Sequence, residues 1–533
     1  MKWFGGPTMV ALPSDSVWQG ARRILQALQD WGFEAYVVGG AVRDLLLHKT
    51  PHDYDIVTNA KPEETMEVMT KAGYDTTGLV GKSFGVVVGI VPEGTYEIAT
   101  YRSERYGADS HRPEAVFYAQ SLEEDVWRRD FTINGMAMTM DGEVVDYVKG
   151  QADVKRKVLR TIGDAKERFS EDALRLFRAC RFVGKLGFLP HESLLDGMAP
   201  SFGRVNGLSL ERVRKEVDNL LLTPFVAKGL DVLVKSHLNE CRCSVVENGV
   251  RKEVDILPEL SHLVDLPQQK EFHAYDGWIH TLAVVDATRP DLTIRWAALL
   301  HDVAKGLPHI RGFHNNRITD RGHDKAGADI AVDILTRWQY PKQFVERVSW
   351  LVENHMRFHY FANNEDADPW KWMRKEARGG KFRQREQLKE AVLQMAEVCA
   401  ADVIGCGKTH SSTDGTYAFG DCLAHISEEM PIHTRDLQYD KELIEKTQPY
   451  TGDVLQTLLQ RVQNGQLKNE PAALLEAGLH RLARIQERLE KHPENNREKS
   501  RENNHEKSNE NNHGNSNESN YEDSHTIEET RSQ

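Results

Sequence analysis

Asp53 and Asp55 stand at i and i+2 in the run Asp53-Tyr54-Asp55-Ile56-Val57, about a dozen residues after Gly39-Gly40-Ala41-Val42-Arg43-Asp44. On a strand, residues two apart point to the same face, with Cα atoms about 6.5–7 Å apart. Two carboxylates so placed can converge on a pair of divalent ions, which lie about 3.5–4 Å apart in two-metal sites. Oxygen donors combined with substrate phosphates suit magnesium. The two glycines follow an apolar run. They let the backbone approach a phosphate closely, at the start of a helix whose N-terminus favours anions. Asp-x-Asp alone is a weak motif; its spacing from the Gly-Gly-x-Val-Arg-Asp turn makes the combination specific.

Two further segments carry groups that complement such a centre. Arg128-Arg129-Asp130-Phe131-Thr132-Ile133-Asn134 offers forked cationic donors and an amide, suited to a triphosphate and a ribose. In the run 171–181 (EDALRLFRACR), Ala173, Leu176, Phe177 and Cys180 form one apolar helical face. Asp172, Arg175, Arg178 and Arg181 recur every third residue on its polar side. A solvated helix face looks the same. Here, however, Asp accepts and Arg donates, so together they can hydrogen-bond the Watson–Crick edge of a base. Glu97, in the strand-like run 95–101, is a candidate third carboxylate.

The middle of the chain carries a second kind of chemistry. His280, the pair His301-Asp302, His323 and His355, with Asp402 as a further candidate, fall in helical sequence. Adjacent His and Asp on one helix, with His from neighbouring helices, form a compact nitrogen-and-oxygen site for one or two divalent ions of no single identity. His273, His309, His314 and His359 are expected at the surface or in support of that set.

Residues 33–150 read as α/β, with strands in one mixed sheet and a polar loop at 102–113. The expected division is a head at 1–150, a helical neck at 151–265, a helical body at 266–410, a helical tail domain at 411–490 and a low-complexity extension at 491–533. The extension repeats Glu, Asn and Ser with almost nothing apolar, so it cannot bury enough surface to offset chain entropy and is expected to be disordered. The fold class is therefore α+β, multidomain.

The chain has 533 residues and a net charge of −13. A polyanion binder driven by bulk charge is disfavoured. Local basic residues (Arg204, Arg212, Arg214, Lys215, Arg251, Lys252) could still line a groove that recognises RNA by shape and backbone. No run of about 18 apolar residues is present, which excludes a transmembrane helix, and no signal peptide is read at the start. Six cysteines without CxxC spacing suggest reduced thiols and a cytoplasmic location.

Segments 39–55, 128–134 and 171–182 together resemble the class II (bacterial-type) tRNA nucleotidyltransferase and poly(A) polymerase family, within the polymerase-β-like nucleotidyltransferase superfamily. Residues 208–217 and 462–478 are similar to later segments of that family. The resemblance implies a mixed-sheet head followed by helical neck, body and tail. It implies template-independent addition of CCA, or part of it, to the 3′ end of tRNA from CTP and ATP. Asp53 and Asp55 would bind Mg2+; Gly40, Arg43 and Arg129 would contact the incoming nucleotide. Asp172 and Arg175 would read the base, with Arg178 and Arg181 supporting. The family has Ala where Gly135 stands here. The histidine pattern resembles the HD metal-dependent phosphohydrolase superfamily, which implies a second divalent metal at His280, His301, Asp302, His323 and His355. Partners would be tRNA, CTP and ATP, with no DNA and no membrane. The alternatives are a poly(A) polymerase, a partial CC- or A-adding enzyme, an HD-type phosphohydrolase acting on nucleotides or tRNA ends, and a non-catalytic nucleotide-sensing or RNA-binding protein. The intact aspartate pair opposes the last, because convergent carboxylates without a cation repel.

Overall fold

The computed structural model describes residues 8–77, 85–106, 113–409 and 411–491; the extension expected to be disordered lies, from residue 492 on, outside the described residues. The head begins with α1 (Ser16–Asp30), whose first turn is capped by Asp15 accepting from the Trp18 amide at 2.8 Å. Its Trp18, Ala21, Ile24, Leu25 and Leu28 are buried at helical spacing. There follow β1 (Ala35–Val38), α2 (Gly40–Leu46), β2 (Asp55–Thr58), α3 (Pro62–Lys71), β3 (Asp75–Thr77), β4 (Val86–Val91), β5 (Gly94–Thr100), β6 (Arg102–Tyr106), β7 (Pro113–Tyr118), α4 (Leu122–Trp127), β8 (Met136–Met138) and β9 (Val144–Asp146).

Seven of these strands form one mixed sheet in the order β3-β4-β5-β2-β1-β8-β9. β2 and β5 run parallel, and the other described neighbours are antiparallel. The parallel pair is the one that α3 helps to connect, as a crossover requires. The polar segment expected as a loop instead starts as β6, which pairs antiparallel with β7. Its sequence, Arg-Ser-Glu-Arg-Tyr, carries no apolar alternation to read.

A buried cluster on the head includes Val38, Val57, Tyr101, Val126, Ala137, Val148 and Ile162. Gly135 sits against it. A Cβ there would meet Ile162 Cδ1 at 2.6 Å and Val148 Cγ2 at 2.9 Å. Glycine stands at this position because its neighbours have taken the volume a methyl would need.

The neck contains α5 (Gly150–Arg156), α6 (Ala165–Glu171), α7 (Leu174–Leu186), α8 (Glu192–Asp196), α9 (Leu210–Leu221) and α10 (Val226–Lys235). It is not wholly helical: β10 (Val158–Leu159) pairs with β11 (Leu189–Pro190), and β12 (Arg242–Glu247) with β13 (Val250–Asp255). The continuous helix expected through 171–181 is broken at Asp172, which adopts φ −141° and ψ 103° between α6 and α7. The body contains α11 (Gly277–Asp286), α12 (Leu292–Leu300), the hairpin β14–β15 (Arg311–His314, Arg317–Asp320), α13 (His323–Arg337) and α14 (Lys342–Ala362).

The chain divides into two compact units, residues 1–367 with 391–422, and residues 368–390 with 423–533. Two helices, α16 (Arg385–Gly405) and α17 (Asp414–Glu429), contribute residues to both. The second unit also holds α15 (Pro369–Arg378), α18 (Lys441–Thr447), α19 (Thr451–Gln463) and α20 (Pro471–Lys491). Its core gathers Leu437, Leu443, Val454, Leu458, Leu459 and Leu474. Among the described residues no helix is long and apolar enough to cross a membrane.

Gly135→Ala restores the methyl found in the resembling family, yet here it overpacks a filled site. We expect a loss of about 1–3 kcal/mol, read as a lower melting temperature. An unchanged melting temperature would show that Ile162 and Val148 move aside freely.

Candidate active site and metal centre

Asp53 leads into β2 and Asp55 opens it, so the carboxylate pair sits at the strand's entrance rather than within it. The parallel register Ile56–Ile98 sets Asp55 beside Glu97 one step earlier. All three acids line a cavity of about 630 Å³. Burial, then Asp53 and Glu97, push the Asp55 carboxyl up to about 6, against a smaller pull from Arg129. Three oxygen donors crowded enough to resist a charge are a fitting seat for a hard divalent cation.

Gly39, at φ 74°, turns the chain from β1 into α2. This left-handed backbone is where glycine carries no Cβ penalty. Arg43, one turn on, is buried; its Nη1 donates to Asn134 Oδ1 at 2.6 Å and its Nε to Asp44 Oδ1 at 3.0 Å. Gly40, Arg43, Arg129, Asp172, Arg175 and Arg178 line the same cavity as the acids.

The arginines there are tethered. Asp125, fully buried on α4, takes Arg128 Nη2 at 3.1 Å and Arg129 Nη2 at 3.0 Å, and also accepts from the Arg102 amide at 3.1 Å. Burial works against the Asp125 charge, but Arg129 and Arg128 outweigh it and hold the carboxyl below its usual range. Asp130 takes Arg178 through Nε at 2.9 Å and Nη2 at 2.5 Å, and its Oδ1 accepts from the Phe131 amide. Arg175 is buried: Nη1 donates to Glu171 Oε2 at 2.8 Å and Nη2 to the Arg128 carbonyl at 2.9 Å.

At the break between α6 and α7, Asp172 Oδ1 accepts from the Leu174 amide at 3.0 Å, and Arg212 Nη2 lies 3.9 Å from Oδ2. Arg181 does not line the cavity. It pairs with Glu216 at 2.5 Å and stacks 4.7 Å over the Phe182 ring, whose neighbourhood also includes Arg178 at 5.6 Å and Arg43 at 5.9 Å. Thus Arg175, expected on an open polar face, is enclosed, and Arg181 stands behind the site.

Sequence reading gave no role to Asp125, Glu216, Phe182 or Lys185, of which Phe182 and Lys185 line the cavity; Asn134, read as an amide for the ribose, and Arg212, read as part of a basic groove, line it too. The signal for Asp125 was available, since an acid three and four residues before two arginines shares their helix face. The basic groove is corrected in part. Arg214 donates to the Trp338 and Gln339 carbonyls at 3.0 and 2.9 Å, Arg251 to the Asn206 carbonyl, and Lys252 pairs with Glu247.

In the body, the expected histidines converge. His280 Nε2 lies 3.2 Å from His301 Nε2, 3.3 Å from Asp302 Oδ2 and 3.2 Å from Asp402 Oδ1. His323 Nε2 lies 3.2 Å from both Asp302 Oδ1 and His355 Nε2. Each imidazole fixes its other nitrogen on a backbone carbonyl: His280 Nδ1 on Gly405 at 2.9 Å, and His301, His323 and His355 on Ala298, Asp320 and Val352 at 2.7 Å. With Nδ1 donating, every Nε2 faces inward, and in the neutral ring its lone pair has the orientation a metal ligand needs. Two donor groups result, His280–His301–Asp402 and Asp302–His323–His355, the ligand atoms of each within 4.8 Å of one another. Asp302 divides its oxygens between them, so the set can take two divalent ions.

Burial opposes a charge on His280, but Asp302 and Asp402 raise it to about 9. His355, enclosed beside His323 and His301, is pushed down to about 3. Lys305 Nζ lies 2.7 Å from Asp302 Oδ2. His359 supports the centre, with Nε2 at 2.8 Å from Asp402 Oδ2, whereas His309 and His314 are exposed.

A family model described as the poly A polymerase head domain matches residues 35–160, and one described as the HD domain matches 278–402. The chain is 41% identical over 229 residues to a CCA-adding enzyme of Streptococcus pneumoniae serotype 19F (strain G54), covering 43% of this chain and 56% of that one. It is 36% identical over 319 residues to a CCA-adding enzyme of Streptococcus sanguinis (strain SK36), covering 60% and 71%. The chain spans about half the length of several curated relatives that it matches. A solved Bacillus stearothermophilus CCA-adding enzyme in complex with CTP is similar with a TM-score of 0.61 at 25% identity, over 89% of this chain and 99% of that one.

Because the folded Asp130 carboxyl is held low by Arg178 and Arg175 against burial, its ion pair contributes stability above the unfolded carboxylate pKa of about 3.9. That contribution fades as pH falls through the lower folded value. Asp130→Asn should therefore cost about 2–3 kcal/mol at neutral pH, less than a wholly buried pair because Arg178 is one-third exposed. Melting curves of variant and wild type should approach each other below about pH 4. A gap that is constant from pH 7 to pH 3 would contradict the assignment.

Proposed function

The chain belongs to the CCA-adding enzyme family, and from that premise we propose that it adds CCA, or part of it, to the 3′ end of tRNA without a nucleic-acid template. CTP and ATP are the substrates, pyrophosphate leaves, and the compartment is the cytoplasm. DNA and membranes are not partners. One observation carries the reading: three carboxylates face a set of tethered arginines across a single cavity. The working partition is the head 1–150, the neck 151–265, the HD-like body 266–410 and the tail domain 411–490.

Asp53 and Asp55, with Glu97 beside them, would hold Mg2+, whose charge relieves the repulsion that raises the Asp55 pKa. When bound, Mg2+ held by these acids would supply acidification of the primer hydroxyl and charge neutralisation on the departing pyrophosphate. The Gly40 backbone, Arg43 and Arg129 bind the triphosphate. Asn134 and Asp44 set the angle of Arg43, and Asp125 sets that of Arg129. Asp172 and Arg175 present an acceptor and donors to the base, so nucleotide choice rests on two side chains. Arg178, fixed by Asp130, borders that pocket, and Arg181, fixed by Glu216, backs it.

A second activity is favoured by a separate observation, the four imidazoles turned inward by backbone carbonyls. We assign this centre to metal-dependent hydrolysis of a phosphate ester on a nucleotide or tRNA end. A metal-loaded chain that cleaves no 2′,3′-cyclic nucleotide would reduce it to a scaffold.

Supplying tRNAs that end before CCA, after C and after CC separates full from partial addition, and a long adenosine tract would expose a poly(A) polymerase. The double variant Asp53→Ala, Asp55→Ala should lose incorporation and keep tRNA binding and cyclic-nucleotide hydrolysis; retained incorporation would overturn the reading. Asp172→Ala should lower the preference for CTP and ATP over UTP and GTP by roughly tenfold or more, the worth of one lost paired base contact. Undiminished discrimination would remove Asp172 from the pocket.

A further inference from the structure

His280 belongs to two donor sets. One is shared with His301 and Asp402 and is part of the centre described above. The other joins it to His273 and Cys406, with ligand atoms within 4.8 Å of one another. His273 lies in the segment that enters α11, and Cys406 directly follows α16. The Ala274 amide donates to the Cys406 carbonyl at 2.8 Å, and the Cys406 amide donates to the Asp402 carbonyl. These bonds tie the two ligand segments together and to the end of the HD set.

The spacing is informative. Zinc–sulfur and zinc–nitrogen bonds of about 2.3 and 2.0 Å place two tetrahedral ligands about 3.5 Å apart. Cys406 Sγ lies 3.6 Å from His273 Nδ1, and the His273 and His280 rings are 4.7 Å apart, edge to face. The other described metal-capable sets contain only nitrogen and oxygen. Sulfur changes the selection: thiolate favours zinc, cobalt and other thiophilic ions over magnesium.

We propose that His273 and Cys406 form, with His280, a sulfur-containing metal site that lets a thiophilic divalent cation bind at the edge of the HD centre. His280 Nδ1 is held by the Gly405 carbonyl, which leaves Nε2 as the nitrogen open to a metal in either set. The two sets are therefore alternative seats for one cation on His280. An ion in the His273–Cys406 seat leaves His323, His355 and Asp302 for a second ion. The site rests on the HD reading in one respect only, the availability of His280.

Cobalt(II) tests it on the full, metal-stripped, reduced chain. A thiolate-to-cobalt charge-transfer band should grow with added cobalt, vanish in Cys406→Ser, and weaken in His273→Ala. It should persist in His323→Ala, which damages only the oxygen-and-nitrogen set. Cobalt bound with no thiolate band, or a band undiminished in Cys406→Ser, overturns the sulfur site and leaves the HD reading standing. Failure of the wild-type chain to bind cobalt at all overturns both. Thermal melts of the variants confirm that each is folded before its spectrum is read.

Discussion

Carboxylates that hold arginines in place, two of them buried, are the constraint on which the cavity depends. Asp125, Asp130 and Glu171 contact Arg128, Arg129, Arg178 and Arg175. A free arginine carries about 2 kcal/mol of rotamer entropy. Here that entropy is lost when the chain folds, so binding a ligand need not remove it again. The arrangement has its own cost, since Asp125 and Asp130 are taken out of water. One guanidinium would compensate a buried carboxylate poorly; Asp125 has two, together with a backbone amide.

The HD centre solves the same problem with different partners. Its histidines are oriented by main-chain carbonyls rather than by acids, so the helices themselves aim the ligands. In His301 and His355 the carbonyl belongs to the residue three positions earlier on the same helical stretch, a purely local device. In His280 the carbonyl is that of Gly405, distant in sequence, and orientation there depends on how α11 packs against α16. A Cβ on Gly405 would meet Val284 Cγ2 at 2.4 Å, so this close approach requires glycine.

The chemistry-bearing residues were legible in the sequence because their spacing is short. Gly39–Asp44 with Asp53 and Asp55, and the Arg-rich run 171–181, announce themselves within a few tens of residues. The mixed sheet was legible for the same reason, through apolar runs at 35–38, 86–91 and 95–100. The histidines were recognisable as a set because Asp302 directly follows His301 and further histidines recur in the helical sequence around that pair. What stayed hidden depends on distant contacts. Strand β6 is a polar run in sequence, and the hairpin β12–β13 has mostly exposed side chains. Neither leaves an apolar alternation to read. The enclosure of Arg175 could not be inferred from periodicity, because periodicity separates apolar from polar positions and cannot say that a polar face will be covered by Arg128 and Glu171.

The break at Asp172 shows how local geometry divides the work of two neighbouring acids. In an unbroken helix Glu171 and Asp172 would sit about 100° apart and both near Arg175, competing for it. Extended backbone at Asp172 ends α6 after Glu171 and starts α7 at Leu174. Glu171 is then left beside the Arg175 guanidinium, 2.8 Å away. Asp172 uses one oxygen to accept from the Leu174 amide, an otherwise unpaired donor of the new helix. Its second oxygen lies 3.9 Å from Arg212 Nη2, and Asp172 lines the cavity. An acceptor and an anchored donor thus stand at one corner of the cavity because one residue of backbone, Asp172, leaves the helical conformation, and the side chains on either side of that break acquire different partners.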